Sequence, residues 1–163
     1  MPKRFISIRF LFLLFDIIGL ITIGDGQGGE RVERHKDEHI DTQMLVIQAN
    51  IDDMNPEMTP YVADKLFEAG ANDVYWIPIV MKKGRPGVML NVLASRDKLE
   101  EMERIIFRET TTIGLRYSEV VCHRLGRQSV QVETAWGAVR VKAGYFGGEL
   151  VQYAPEYRDC EQI

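Results

Sequence analysis

The order in which strand-like and helix-like apolar patterns follow one another between residues 44 and 124 most constrains the fold of this chain. Runs rich in β-branched and aromatic residues indicate strands, whereas apolar residues spaced three or four apart indicate amphipathic helices. These patterns predict a strand, a helix, two strands, a helix and a strand, over residues 44–51, 56–69, 73–81, 88–94, 97–108 and 115–124. The order predicts an α+β protein, a ferredoxin-like βαββαβ two-layer sandwich with both helices on one sheet face.

Two further strands, at 129–134 and 138–143, are predicted to add a C-terminal β-hairpin through the tight turn 135–137. Within the sandwich, the first and third strands are expected at the centre of the sheet. The loop between the second and third strands is expected to project as an arm.

Local signals mark where the two helices begin and end. Asn55 has the residue type of an N-cap, and Pro56 suits the first position of a helix. Gly70 is predicted to stop that helix, and Asp97 is predicted to cap the second one.

Composition narrows the class of protein. The chain has 163 residues, of which 45% are hydrophobic and 27% charged, as in a globular domain with extensions. The formal net charge of -4 argues against general binding of nucleic acid. The two cysteines, Cys122 and Cys160, have no metal-ligand spacing, and a reducing cytoplasm fits them best.

The amino-terminal segment differs from the rest of the chain. Residues 10–23 are almost continuously apolar and follow three basic residues, whereas residues 24–43 are glycine-rich and then charged without a period. We divide the chain into this hydrophobic segment and linker, 1–43, and a domain over 44–163. A signal or membrane anchor, the remnant of a missing upstream domain and a membrane-surface helix all fit the hydrophobic run, so membrane association or export stays open.

Two neighbouring acids follow the first predicted strand. Asp52 and Asp53 come where the apolar run stops, just before the predicted helix N-terminus. Carboxylates at a strand end offer hard oxygen ligands for a divalent cation or anchor a polar ligand, although Asp is also common in turns. Adjacent strand residues point to opposite faces, so we expect one aspartate to face the ligand and the other to brace the loop.

The predicted arm is basic. Lys82, Lys83 and Arg85 lie among two glycines and a proline, a set that can surround a polyphosphate or form a solvated turn. A second candidate group follows the second helix: Thr111 and Thr112 with Arg116, whose hydroxyls and guanidinium could reach a ligand or satisfy helix-end carbonyls. Acids at a strand end with cations in an arm match a site for a metal and a nucleotide.

Five separate blocks of sequence carry a family resemblance. They occur in family order and cover the chain from Met44 to its end, at residues 50–57, 66–71, 73–87, 107–116 and 155–160. In them the chain resembles the carboxy-terminal domain of the LarC family, the nickel-insertion proteins of nickel-pincer cofactor biosynthesis. The family is described as a CTP-dependent cyclometallase that inserts Ni²⁺ into the pyridinium-3,5-bisthiocarboxylic acid mononucleotide precursor of the lactate racemase cofactor.

The resemblance implies that this domain binds CTP with Mg²⁺ or Mn²⁺, contacts the nickel-pincer nucleotide precursor and forms a homo-oligomer. On this basis Asp52 and Asp53 become candidate metal contacts. The candidate nucleotide contacts are Lys82, Lys83, Arg85, Thr111, Thr112 and Arg116. A full family member has a larger amino-terminal domain ahead of this one, so a separately encoded partner domain is a further expectation, and whether this chain is an enzyme by itself stays open.

Two alternatives stand beside this hypothesis. A nucleotide-sensing module of the PII type shares the βαββαβ order and an arm-like loop, and it would bind nucleotide without turnover. A truncated oligomerisation fragment would have no activity.

Overall fold

The computed structural model describes residues 37–162 together with the two-residue strand β1 (Val32–Glu33). The chain divides into two compact units. The βαββαβ unit spans Ile40–Cys122, and the second unit comprises the described residues before and after it. The apolar run at 10–23 and the glycines at 24–29 lie outside the described residues. Among the helices that the structure describes, none is long and apolar enough to cross a membrane.

The elements of the βαββαβ unit follow the predicted order. They are β2 (His39–Ile51), α1 (Thr59–Glu68), β3 (Asp73–Val80), β4 (Pro86–Ser95), α2 (Leu99–Glu109) and β5 (Arg116–Arg124). The sheet order is β3-β4-β2-β5, with β4 antiparallel to both β2 and β3. The α+β class is confirmed, and the first and third strands of the unit lie at the centre of the sheet. Strand β2 begins five residues before the predicted boundary, within the segment expected to be a linker.

One core joins the sheet to both helices. Alternate residues of β2 and β4 point into it, among them Leu45, Ile47, Leu90 and Val92, all fully buried. Helix α1 contributes Val62 and Leu66, and α2 contributes Met102, Ile105 and Ile106. Because both helices pack against the same alternate set of strand residues, they cover one face of the sheet. We call the opposite face, which carries Gln48, Tyr75 and Asn91, the helix-free face.

The predicted helix boundaries are mostly observed. The Asn55 side chain accepts a hydrogen bond from Glu57 N at 3.1 Å, at the start of a 3-10 turn (Pro56–Met58) that leads into α1. Gly70 follows α1 with a φ of 100°, the left-handed conformation that favours glycine. The prediction for Asp97 was wrong: it lies inside the 3-10 turn Arg96–Lys98, and the N-cap of α2 makes no side-chain capping bond.

The second unit is a sheet with one short helix. Its elements after β1 are β6 (Gly126–Thr134), β7 (Gly137–Phe146), β8 (Glu149–Pro155) and α3 (Tyr157–Gln162). The predicted hairpin β6–β7 is present, but it is the centre of a four-stranded sheet ordered β1-β6-β7-β8. Val132, Val139 and Val141 form its small core, against which Tyr153 and Cys160 pack.

Helix α3 completes the pairing of β7. Strand β8 ends opposite Val141, so it offers no partner to Arg140. Instead, Arg140 O accepts from Glu156 N at 2.7 Å, and the Asp159 carboxylate accepts from Arg140 N at 2.9 Å. The helix is therefore fixed to the sheet by backbone groups that a strand would otherwise pair.

Candidate site at the end of the central strands

Strands β2 and β4 approach each other closely where β2 ends. Gly87 lies opposite this point, and a Cβ placed on it would lie 2.7 Å from Ile51 O and 3.4 Å from Asp52 Cα. No L side chain fits there without a shift of the backbone. Glycine at this position therefore lets the basic β3–β4 turn reach the acidic loop that follows β2.

Asp52 pairs with the basic turn. Arg85 Nη1 lies 3.3 Å from Asp52 Oδ2, with the side chain of Asp52 18% exposed and that of Arg85 57% exposed. The turn itself is closed by Met81 N, which donates to Arg85 O at 2.8 Å. An acid and a cation predicted from separate segments thus meet directly, across 33 residues of chain.

Asp53 has a different partner. The Thr111 hydroxyl, in the loop after α2, donates a hydrogen bond to Asp53 Oδ1. The neighbouring threonines have other acceptors: Thr110 Oγ1 donates to Ile106 O in α2 at 2.7 Å, and Thr112 Oγ1 donates to Gly114 O within the loop at 2.8 Å. Thr111 therefore connects two loops, whereas Thr110 satisfies a carbonyl at the end of the helix.

The two lysines of the arm are exposed to solvent. They form the 3-10 turn Lys82–Gly84, in which Lys83 has a φ of 63° and Gly84 a φ of 71°. Neither ammonium group makes an ion pair with a described residue. The arm therefore presents two uncompensated positive charges beside the Asp52–Arg85 pair.

Arg116 opens β5 and lies across the helix-free face. Its Nε donates to Gln48 Oε1 at 3.1 Å, and its Nη2 contacts Asn50 Oδ1 at 3.3 Å and Met89 Sδ at 3.1 Å. The sequence interpretation named Arg116 but missed these three partners. Strand alternation could have found Gln48 and Asn50, because both fall on the face opposite the buried residues of β2.

A divalent cation fits this site only with help from a ligand. Among the described residues, no cluster of three or more His, Cys, Asp or Glu side chains could hold a metal ion. Mg²⁺ is usually held by one or two carboxylates together with phosphate oxygens and water. Asp52 and Asp53, with hard oxygen atoms on neighbouring residues of the loop after β2, match that pattern.

The chemistry that this arrangement offers is recognition of a polyphosphate with its counter-cation. Lysine provides point charge, arginine provides a planar pair of donors, and the carboxylates provide ligands for the cation. The predicted residues come from the end of β2, the β3–β4 turn, the loop after α2 and the start of β5. The direct contacts are Asp52 with Arg85 and Asp53 with Thr111, whereas Thr112 bonds within its own loop.

Comparison with known proteins gives consistent matches. A family model described as nickel insertion protein matches residues 9–163. A curated protein of Clostridium kluyveri, named pyridinium-3,5-bisthiocarboxylic acid mononucleotide nickel insertion protein, is 45% identical over 131 residues, which cover 80% of this chain and 33% of that protein. A protein of the same name from Clostridium acetobutylicum is 48% identical over 118 residues, which cover 72% of this chain and 28% of that protein. The chain thus spans about a third of the length of these relatives.

Solved structures agree with the sequence matches. A structure described as LarC2, the C-terminal domain of a cyclometallase involved in the synthesis of the NPN cofactor of lactate racemase, matches with a TM-score of 0.71 at 38% identity, covering 77% of this chain and 84% of that domain. Protein MK0293 from Methanopyrus kandleri matches with a TM-score of 0.59 at 23% identity, covering 78% of this chain and 79% of that protein. This match shows similarity of fold alone.

Proposed function

Because this chain belongs to the nickel insertion protein family, we propose that it is the nucleotide-binding portion of a CTP-dependent nickel-insertion enzyme. Its substrate would be the pyridinium-3,5-bisthiocarboxylic acid mononucleotide precursor, and Ni²⁺ would be the inserted metal. The names of the curated relatives and the match to LarC2 support the substrate and the type of reaction.

The observation that carries the nucleotide assignment is the Asp52–Arg85 contact, which joins the basic arm to the acidic loop. Lys82 and Lys83 would neutralise the outer phosphates of CTP, and Arg85 would bind one phosphate through two parallel donors. Asp52 and Asp53 would hold Mg²⁺ or Mn²⁺, which would neutralise charge on the phosphate oxygens. Thr111 would fix the position of Asp53, and Thr112 would shape the loop beside it.

The partners of the chain follow from its share of the relatives. Since this chain spans about a third of their length, we propose that nickel insertion needs a further domain, encoded separately or as part of a longer chain. We also propose that the chain described here forms a homo-oligomer. We place the reaction in the cytoplasm, because Cys122 and Cys160 are both unpaired thiols.

A nucleotide-sensing module without turnover is the alternative function. The exposed arm between the second and third strands of a βαββαβ unit favours it as much as it favours the enzyme. Release of pyrophosphate in the presence of precursor distinguishes the enzyme from the sensor, and neither activity is expected of an oligomerisation fragment.

Isothermal titration with CTP and ATP, each with Mn²⁺, tests the nucleotide assignment. The double substitution Lys82→Ala and Lys83→Ala should weaken CTP binding about tenfold or more, because a hydrogen bond to a charged group contributes roughly 1.5–3 kcal/mol. Binding of cytidine should change little, since it carries no phosphate.

The matched control is the double substitution Lys65→Ala and Lys98→Ala. It removes the same charge from the last turn of α1 and from the 3-10 turn beyond the far end of β4. Absence of CTP binding to the unmodified chain contradicts the proposed function. Equal losses in the two double variants contradict the role of the arm, because net charge would then account for the effect.

A further inference from the structure

Arg116 is fixed in place by neutral groups. Four other arginines pair with carboxylates, namely Arg85, Arg96, Arg104 and Arg140. Arg116 instead has two amide oxygens and a thioether as partners, and none of the described carboxylates pairs with it. Its guanidinium is therefore oriented without being neutralised.

A buried amide supports this arrangement from behind. Gln48 Nε2 donates to Asn91 Oδ1 at 2.7 Å, and Asn91 Nδ2 donates to Met89 O at 3.1 Å. Asn91 is 1% exposed, and these two bonds fix the orientation of its side chain. The network turns the oxygen of Gln48 toward Arg116 and limits the positions that the guanidinium can take.

Most of the unused hydrogen-bonding capacity at this point consists of N–H donors. Guanidinium carries five N–H groups and no acceptor. The contacts of Arg116 engage Nε and Nη2, which leaves Nη1 uncommitted among the described residues. The oxygen of Asn50 is already engaged, so its NH₂ group adds further donors. A surface on which free donors outnumber free acceptors and which carries one positive charge favours an oxyanion.

An aromatic and apolar surface lies beside this donor group. Strand pairing places Tyr75 opposite Asn91 and Ile77 opposite Met89. Tyr75 and Ile77 are 45% and 38% exposed, and they lie on the helix-free face because their neighbours Val74 and Trp76 pack against the core.

The guanidinium of Arg116 and the exposed side chains of Tyr75 and Ile77 lie close enough for one small molecule to contact both. From β5, Arg116 reaches across β2 to Met89 on β4, the strand that pairs with β3. Neighbouring strands lie about 4.8 Å apart, so the guanidinium lies about one strand spacing from the strand that carries Tyr75. A carboxylate attached to a six-membered ring spans a comparable distance.

We propose that Arg116, Gln48 and Asn50 bind the ring-attached acid group of the pyridine mononucleotide substrate, with the ring against Tyr75 and Ile77. This inference rests on the proposed function and deepens it. It assigns Arg116 to the pyridine substrate and leaves the CTP phosphates to Lys82, Lys83 and Arg85.

The test uses two ligands that differ in one group. Nicotinic acid mononucleotide carries a carboxylate on its pyridine ring, and nicotinamide mononucleotide carries an amide of the same shape. The unmodified chain should bind the acid at least tenfold more tightly in isothermal titration. Arg116→Met should remove this preference, and Arg116→Lys should reduce it, because lysine keeps the charge but loses the planar pair of donors.

Two controls make the result specific. Arg96→Met removes an arginine that pairs with Glu119 and should keep the full preference for the acid. Tyr75→Ala should weaken both ligands by the same factor. If Arg116→Met fails to fold in a thermal melt, Arg116→Lys supplies the same comparison.

The outcomes separate this inference from the function on which it rests. Equal binding of acid and amide by the unmodified chain, or binding of neither, overturns the inference. So does a preference that persists without Arg116. CTP titration of the same variants should show unchanged affinity, and a loss of CTP binding in Arg116→Met would place this arginine on the nucleotide. Failure of the unmodified chain to bind CTP would refute the proposed function. The comparison of the acid with the amide would then still decide whether Arg116 binds the acid group.

Discussion

Replacement of Gly87 by alanine should destabilise the βαββαβ unit and displace the loop that holds Asp52. The added Cβ would lie 2.7 Å from Ile51 O, a backbone atom that cannot rotate away, and 3.1 Å from Met81 Sδ. Overpacking of this kind costs about 1–3 kcal/mol. Alanine also restricts the unfolded chain, which offsets the loss by about 0.4–1 kcal/mol. The net expectation is a loss of about 1–2 kcal/mol.

Urea unfolding measures this loss. Trp76 packs against the core of the βαββαβ unit, whereas Trp136 lies in the second unit, so Trp136→Phe gives a background in which fluorescence reports the unit of interest. With a slope of about 1–2 kcal/mol per molar urea for a unit of this size, the midpoint should fall by about 1 M.

Gly114→Ala is the matched control, because nothing lies within 4 Å of a Cβ at that position. It should leave the midpoint unchanged or raise it slightly. Equal midpoints for the two variants would refute the close-packing argument and, with it, the reason given for the contact between the basic turn and Asp52.

Two further predictions concern the second unit and the core. The Arg140 side chain, and then its backbone N–H, hold the pKa of Asp159 at about 2, below its ordinary value of 3.8. Because this pKa is depressed in the folded protein, the stabilisation that the pair gives is complete above pH 4 and is lost as the pH falls toward 2. Acid titration followed by Trp136 fluorescence should show this loss of stability. The same titration of Asp159→Asn should not show it. Leu66→Ala should lower the free energy of unfolding in urea by about 2–5 kcal/mol, because Leu66 is fully buried. Phe67→Ala, at the adjacent and 47% exposed residue, should lower it by less.

Local periodicity predicted most of the βαββαβ unit. The change from period two in β2 to period 3.6 in α1 is visible without tertiary information, and Asn55 and Gly70 mark the boundaries by their own chemistry. Asp97 misled because its residue type suits a cap, while the chain enters α2 through a 3-10 turn.

The second unit was predicted only in part, for a reason of length. Strand β1 has two residues, too few to show a period, and its pairing with β6 depends on residues almost 100 positions later. The attachment of α3 depends on the point at which β8 ends opposite Val141. Neither feature is local, so neither leaves a local signal.

In the candidate site, too, residue types were predictable from the sequence, whereas contacts that depend on strand pairing were not. The residue types at Asp52, Lys82 and Arg85 predicted a polar site at the strand end, and the structure adds which groups meet. The amide network behind Arg116 was missed because Gln48 and Asn91 are 43 residues apart and join only when β2 pairs with β4.

The separate partners of the two aspartates bear on how a nucleotide could enter the proposed site. A bound cation would compete with Arg85 for Asp52, and a phosphate would compete with Asp52 for Arg85. An exposed ion pair contributes only about 0–1 kcal/mol, whereas a charge-assisted bond to phosphate contributes roughly 1.5–3 kcal/mol. Exchange of the Asp52–Arg85 pair for bonds to a metal-bound phosphate is therefore favourable. If Asp53 kept its bond to Thr111 during that exchange, the acidic loop would keep its attachment to the loop after α2 while the arm changed partners.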